Sequence, residues 1–234
     1  MGNINSRMLI LKLVISSIIS VTIMCGLLFL PAGTFDWWRA WVLIGVIVAA
    51  WVISAVSLFP EHKDLLKERL RTPIQRGQPL ADKIILLSFL LFFYGMFAFI
   101  PLDVTRFHLM GRPGSIVSFS GLVLFVLGWR LVYLALRETA FASLVVKLQE
   151  ERQQRVIDSG VYGIVRHPMY AGAIPFILGI PLCLESYAAA VIALAPIFLL
   201  MLRISMEEKY LRQELTGYDA YTKRVRYRLI PYIW

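Results

Sequence analysis

Two short polar clusters near the end of this chain carry residue types that could do chemistry. The first is Arg166-His167-Pro168-Met169-Tyr170-Ala171-Gly172; the second, about forty residues on, is Glu207-Glu208. One brings cations, an imidazole and a phenol, and the other brings paired carboxylates. Between them runs an apolar stretch, Tyr170–Leu202, broken by Glu185-Ser186, which reads as a hairpin of two shorter helices. A hairpin returns the chain to the side it left, so both clusters should meet in space. Further polar residues follow in Tyr221, Arg224 and Arg226. An arginine there can orient a carboxylate or phosphate through two parallel hydrogen bonds.

Each residue also has a plainer reading. His167-Pro168 can simply start a helix, because proline suits the first turn. Glu207-Glu208 can belong to a solvated helix face with Lys209, Arg212 and Glu214. The tyrosines can be interfacial anchors. These readings explain single residues better than they explain the ordered set.

The elements that position the clusters follow from composition. Of 234 residues, 59% are apolar or aromatic and only 17% charged, well above the apolar share of a soluble domain. A membrane helix needs about 20 mostly apolar residues. Met8–Leu30, Trp37–Phe59, Ile84–Leu102 and Ile116–Leu136 meet that length, and the hairpin adds one or two more spans. Pro175 and Pro181 mark its first arm as irregular. The expectation is an all-α, polytopic helical bundle of five to six membrane segments, forming one domain over 1–234. Residues 1–136 hold four spans and 137–234 the polar region. Met8–Leu30 is too long for a signal-peptide core. Met1–Ser6 fits an acylation pattern, a match attributed to chance in a chain that already spans the membrane.

Charge sets the orientation. Lys and Arg number two up to Lys12, six in 60–83, five in 137–169 and seven in 203–234, whereas the alternate loops hold only Arg39, Arg106 and Arg112. The positive-inside rule places both termini in the cytoplasm. Arg130 falls within the fourth span, where a charge reads either as functional or, this near the span's end, as snorkelling toward the interface. The excess of 24 basic over 15 acidic residues suits an anionic membrane surface. No basic stripe on a soluble domain points to nucleic acid. Cys25 and Cys183 show neither metal-ligand nor disulfide spacing, so no metal is expected.

The ordered set Gly160-x-Tyr162, Arg166-His167-Pro168-x-Tyr170-x-Gly172, Glu207-Glu208-x-x-Leu211, Gly217-Tyr218-x-x-Tyr221 and Leu229-Ile230-Pro231 resembles the isoprenylcysteine carboxyl methyltransferase family and its phospholipid methyltransferase relatives. The tail from Val225 to Pro231 looks most like bacterial members, which implies a bacterial inner membrane. The resemblance implies a membrane methyltransferase using S-adenosylmethionine, with a lipophilic methyl acceptor entering from the bilayer. By the same token it implies that Tyr162, Arg166, His167, Pro168, Tyr170, Gly172, Glu208 and Tyr221 form the cofactor pocket. Gly172 would let the cofactor approach the helix backbone. Glu207, Arg224 and Arg226 would serve the transfer itself. Two other readings are an NADPH-dependent oxidoreductase like the sterol reductases, whose C-terminal ending is similar, and a non-catalytic membrane scaffold.

Overall fold

Runs of Leu, Ile, Val and Phe without interrupting charge make long helices wherever backbone polar groups must be satisfied within the segment. The computed structural model describes residues 6–75, 77–139, 141 and 155–234. All regular elements among them are helical. The acylation-type match at Met1–Ser6 and the basic residues of 142–154 fall wholly or mostly outside the described residues.

Helix α1 spans Ser6–Ala32 and α2 Trp38–Leu58; the short α3, Lys63–Arg69, lies in the connection to α4, Leu80–Leu102. A π-helical turn, Asp103–Phe107, extends α4 beyond Pro101, and α5 covers Ser115–Glu138. A 3-10 turn at Gly160–Gly163 leads into α6, Pro168–Cys183. Then come α7, Tyr187–Ile192, the long α8, Leu194–Glu214, and α9, Tyr218–Arg224. Five helical stretches are long and apolar enough to cross a membrane, the last joining α7 to α8 over Tyr187–Glu214. Their outward faces are apolar: Ile116 is 84% exposed and Leu91 72%. Apolar surface on that scale belongs against lipid, and the chain is a multi-pass membrane protein.

The hairpin differs from its expected form. Its first arm, α6, has 16 residues, about 24 Å at 1.5 Å per residue, which is short of the hydrocarbon thickness. Its second arm is far longer than expected and carries Glu207 and Glu208 on its own last turns. The break falls at Glu185-Ser186, as the charge pattern predicted. Glu185 takes a left-handed φ of 66°, and the Ser186 hydroxyl accepts the Ala189 N–H at 3.0 Å to cap α7. Ser186 also donates to buried Asp103 at 2.6 Å, and Arg39 pairs with Glu185 at 3.0 Å. These bonds pin the hairpin tip to α2 and to the end of α4.

Helices α5 and α6 run antiparallel with their backbones in contact. A methyl group built on Gly128 would lie 2.6 Å from the Gly172 carbonyl oxygen, and one on Gly172 would lie 2.6 Å from that of Gly128. Two turns away, a methyl on Gly179 would lie 2.5 Å from the Gly121 carbonyl oxygen. Small residues allow this close approach where lipid offers no hydrophobic drive to associate. Gly172 therefore makes room for α5. The expectation that it makes room for a cofactor is corrected: the space beside it is filled by Gly128 and Val132. Arg130 lies on the exposed face of α5, its guanidinium 5.3 Å from the Tyr133 ring centre.

Candidate functional site

The two polar clusters do meet. Proline at the first position starts α6, with His167 as its N-cap, so the plain helix-start reading of Pro168 holds. One segment earlier, the backbone N–H groups of Arg166 and His167 donate to the carbonyls of Tyr227 and Arg228, each at 2.9 Å. This short pairing clamps the tail to the start of α6. Across from it, the Glu208 side chain projects from α8 and is 3% exposed.

Glu208 is the centre of a buried knot. Its Oε1 accepts from Arg166 Nε at 2.6 Å and lies 3.3 Å from His167 Nε2, while its Oε2 accepts from Arg228 Nε at 2.8 Å. Arg166 also donates to the carbonyls of Val225 at 2.8 Å and Arg226 at 2.7 Å. A buried carboxylate is tolerated when its oxygens are satisfied in this way. The knot joins α6, α8 and the tail, and it engages three of the residues expected in the cofactor pocket, Arg166, His167 and Glu208, with one another. Arg228, missed in the sequence, is one of its members.

Its neighbour Glu207 is placed differently. The Tyr170 hydroxyl donates to Glu207 Oε2 at 2.6 Å. One turn earlier on α8, buried Arg203 pairs with Asp82 at 2.9 Å, and Gln78 donates to the other Asp82 oxygen at 2.7 Å. That bridge holds α8 to the start of α4 just below Glu207.

Aromatic residues close the site. The Tyr221 hydroxyl donates to the Tyr162 carbonyl at 2.8 Å, tying α9 to the Gly160–Gly163 turn. Burial pushes the Tyr162 and Tyr221 phenols well above the usual range, so both stay neutral at any working pH. Burial, then the charges of Glu208 and Glu207, does the same to Tyr218. Among the described residues, two of the buried side-chain polar atoms without a hydrogen-bond partner adjoin this region: Tyr218 Oη and Arg69 Nε.

The remaining expected residues lie elsewhere. Arg224 is 65% exposed and pairs with Asp158 on the surface. The Arg226 side chain is exposed, and only its carbonyl enters the knot. Both side chains, expected to serve the transfer, therefore lie at the surface, apart from the knot. The first follows the solvated side of a seven-residue helix, and the second lies where the tail turns its backbone inward. Arg224, Arg226 and Arg228 alternate along the chain, and spacing alone does not choose among them.

Within the membrane region, a cavity of about 150 Å³ lies between α1, α2, α4, α5 and α6. Met24, Ala50, Phe93, Phe125, Trp129 and Phe176 are among its lining residues.

Comparison with known families bears on this arrangement. Residues 116–216 match the phospholipid methyltransferase family. The match begins with α5, runs through α6 and α7 and ends just past α8. It therefore includes the glycine contact, the start of α6 and both glutamates. It agrees with the resemblance drawn from the motifs, and the matched family is one of methyltransferases. Arg69, α9 and the tail lie outside the matched phospholipid methyltransferase region. No curated protein matches the chain significantly.

Proposed function

We propose that the chain is a membrane methyltransferase that uses S-adenosylmethionine to methylate a lipophilic acceptor. The observation that carries this reading is the pair of adjacent glutamates presented by α8 against the start of α6, inside the matched region. One glutamate is fully engaged in the knot, and the other keeps an oxygen for a ligand.

The side chains present suit that cofactor. It carries cationic centres, ribose hydroxyls and a carboxylate, and it needs acids, donors and aromatic surfaces together. Glu207 offers the acid, Tyr218 an unsatisfied hydroxyl, and Tyr162 and Tyr221 the aromatic surface. When bound, S-adenosylmethionine supplies an activated methyl group on a sulfonium centre. The protein's part is to hold the acceptor in line and exclude water. Glu207 binds and orients; the Arg166–Glu208–His167–Arg228 knot holds the frame. No residue is assigned as a general base.

The acceptor's hydrocarbon is placed in the apolar cavity. Tyr170 and the cavity-lining Phe176 lie six residues apart on α6, about 9 Å along its axis. With both termini cytoplasmic, the polar site faces the cytoplasm, where S-adenosylmethionine is made. Calorimetry with S-adenosylmethionine and with NADPH on detergent-purified protein tests the reading. Micromolar binding of the first alone is expected. Binding of NADPH alone would replace methyl transfer with a reductase, and binding of neither would leave a scaffold.

A further inference from the structure

Among the described residues of the polar site, Arg69 is a half-buried cation with no protein anion beside it. Arg69 ends α3, in the connection between α2 and α4, outside both the matched region and the C-terminal motifs. Its Nε is buried without a hydrogen-bond partner, and its Nη2 meets only a thioether, Met169 Sδ, at 3.0 Å. No carboxylate lies within ion-pairing distance of it among the described residues. Its charged or polar neighbours are the Tyr162 and Tyr170 phenols and the Arg203 guanidinium, and burial lowers its pKa.

Other cations around the site are satisfied. Arg166 and Arg228 hold Glu208, and Arg203 holds Asp82. A guanidinium whose Nε is buried without a partner is costly. It is retained where a ligand brings the missing charge. Met169 belongs to the first turn of α6, beside Tyr170 and hence beside Glu207. A positive and a negative group thus flank one turn of helix.

We propose that Arg69 is the anion-binding residue of this site, taking a carboxylate or phosphate group of a bound ligand. The proposal rests on the site reading above but not on methyl transfer. Two sources share the chemistry: the carboxylate of the cofactor and an anionic head group on the lipophilic acceptor. A guanidinium recognises either through its planar fork, which lysine lacks.

The test uses the full chain in detergent, as wild type, Arg69→Gln and Arg69→Lys, with binding as the readout. One arm compares S-adenosylhomocysteine with its decarboxylated analogue. The other compares oleate and dodecyl phosphate with oleyl alcohol. Wild type should prefer the anionic member of one pair at least tenfold. Arg69→Gln should abolish that preference, and Arg69→Lys should keep part of it. Loss in the first arm assigns the cofactor carboxylate, and loss in the second assigns the acceptor. An unchanged preference in both arms for Arg69→Gln would overturn the proposal.

Thermal unfolding without ligand provides an independent check. A residue held for a ligand predicts that Arg69→Gln melts no lower than wild type. A clear fall in its midpoint would show a structural role and overturn the proposal. Failure to bind S-adenosylhomocysteine while an anion preference survives would sink the methyltransferase reading and leave Arg69 standing.

Discussion

Arg166 Nε and Glu208 Oε1 lie 2.6 Å apart across a separation of 42 positions. The contact sets the return of the hairpin, since it forms only if α8 brings its last turns back beside the start of α6. Glu207, next in the chain, points at Tyr170 instead. Adjacent residues of one helix thus divide between the buried knot and the Tyr170 hydroxyl.

That division is measurable. Glu208→Gln leaves Arg166 and Arg228 short of a charge in a buried setting, and removing one partner of such a pair costs about 3–5 kcal/mol. A large fall in the thermal midpoint in detergent is expected. Glu207→Gln should melt near wild type yet weaken S-adenosylmethionine binding about tenfold or more, equivalent to about 1.4 kcal/mol. Equal melting of both variants would refute the assignment.

Arg224 makes a contrasting case. Exposed ion pairs contribute about 0–1 kcal/mol, and its pair with Asp158 is on the surface. Arg224→Ala should keep both cofactor affinity and turnover within about twofold of wild type. A large loss of turnover in a well-folded variant would return Arg224 to the site.

Gly172→Ala should disrupt the bundle. The added methyl would meet the Gly128 carbonyl oxygen at 2.6 Å, and overpacking of this kind costs about 1–3 kcal/mol. Backbone against backbone gives little scope for relief, so the upper end is expected. Circular dichroism melts check it, with Gly45→Ala, which has open space beside it, as the control.

Filling the apolar cavity separates the two ligands. Ala50 lines it, and Ala50→Phe should raise KM for a long-chain acceptor several-fold while leaving S-adenosylmethionine affinity unchanged. If both change together, the cavity does not hold the acceptor.

The sequence made some of this plain and concealed the rest for physical reasons. Span positions were legible because lipid demands long apolar runs, and the Glu185-Ser186 break showed where the hairpin turns. The meeting of Arg166, His167 and Glu208 followed from that hairpin. Their use on one another did not, because sequence reports charge but not whether a partner already satisfies it. Arg228 was hidden among three alternating arginines. Arg69 was hidden more completely: it stands between Lys67 and Arg71 in a loop whose basic charge looked like a topology signal alone. Gly172 was legible as a place of close approach, but not as to what approaches it.

The glycine contact between α5 and α6 bears on how this protein could open. Where two helices touch through their peptide groups, little side chain is at hand to fill a gap, so parting them leaves an empty seam. They form the fixed jamb of the site. Widening to admit a bulky guest falls to the opposite leaf, α9 and the tail, which a few hydrogen bonds and the Arg228–Glu208 and Arg224–Asp158 pairs hold shut.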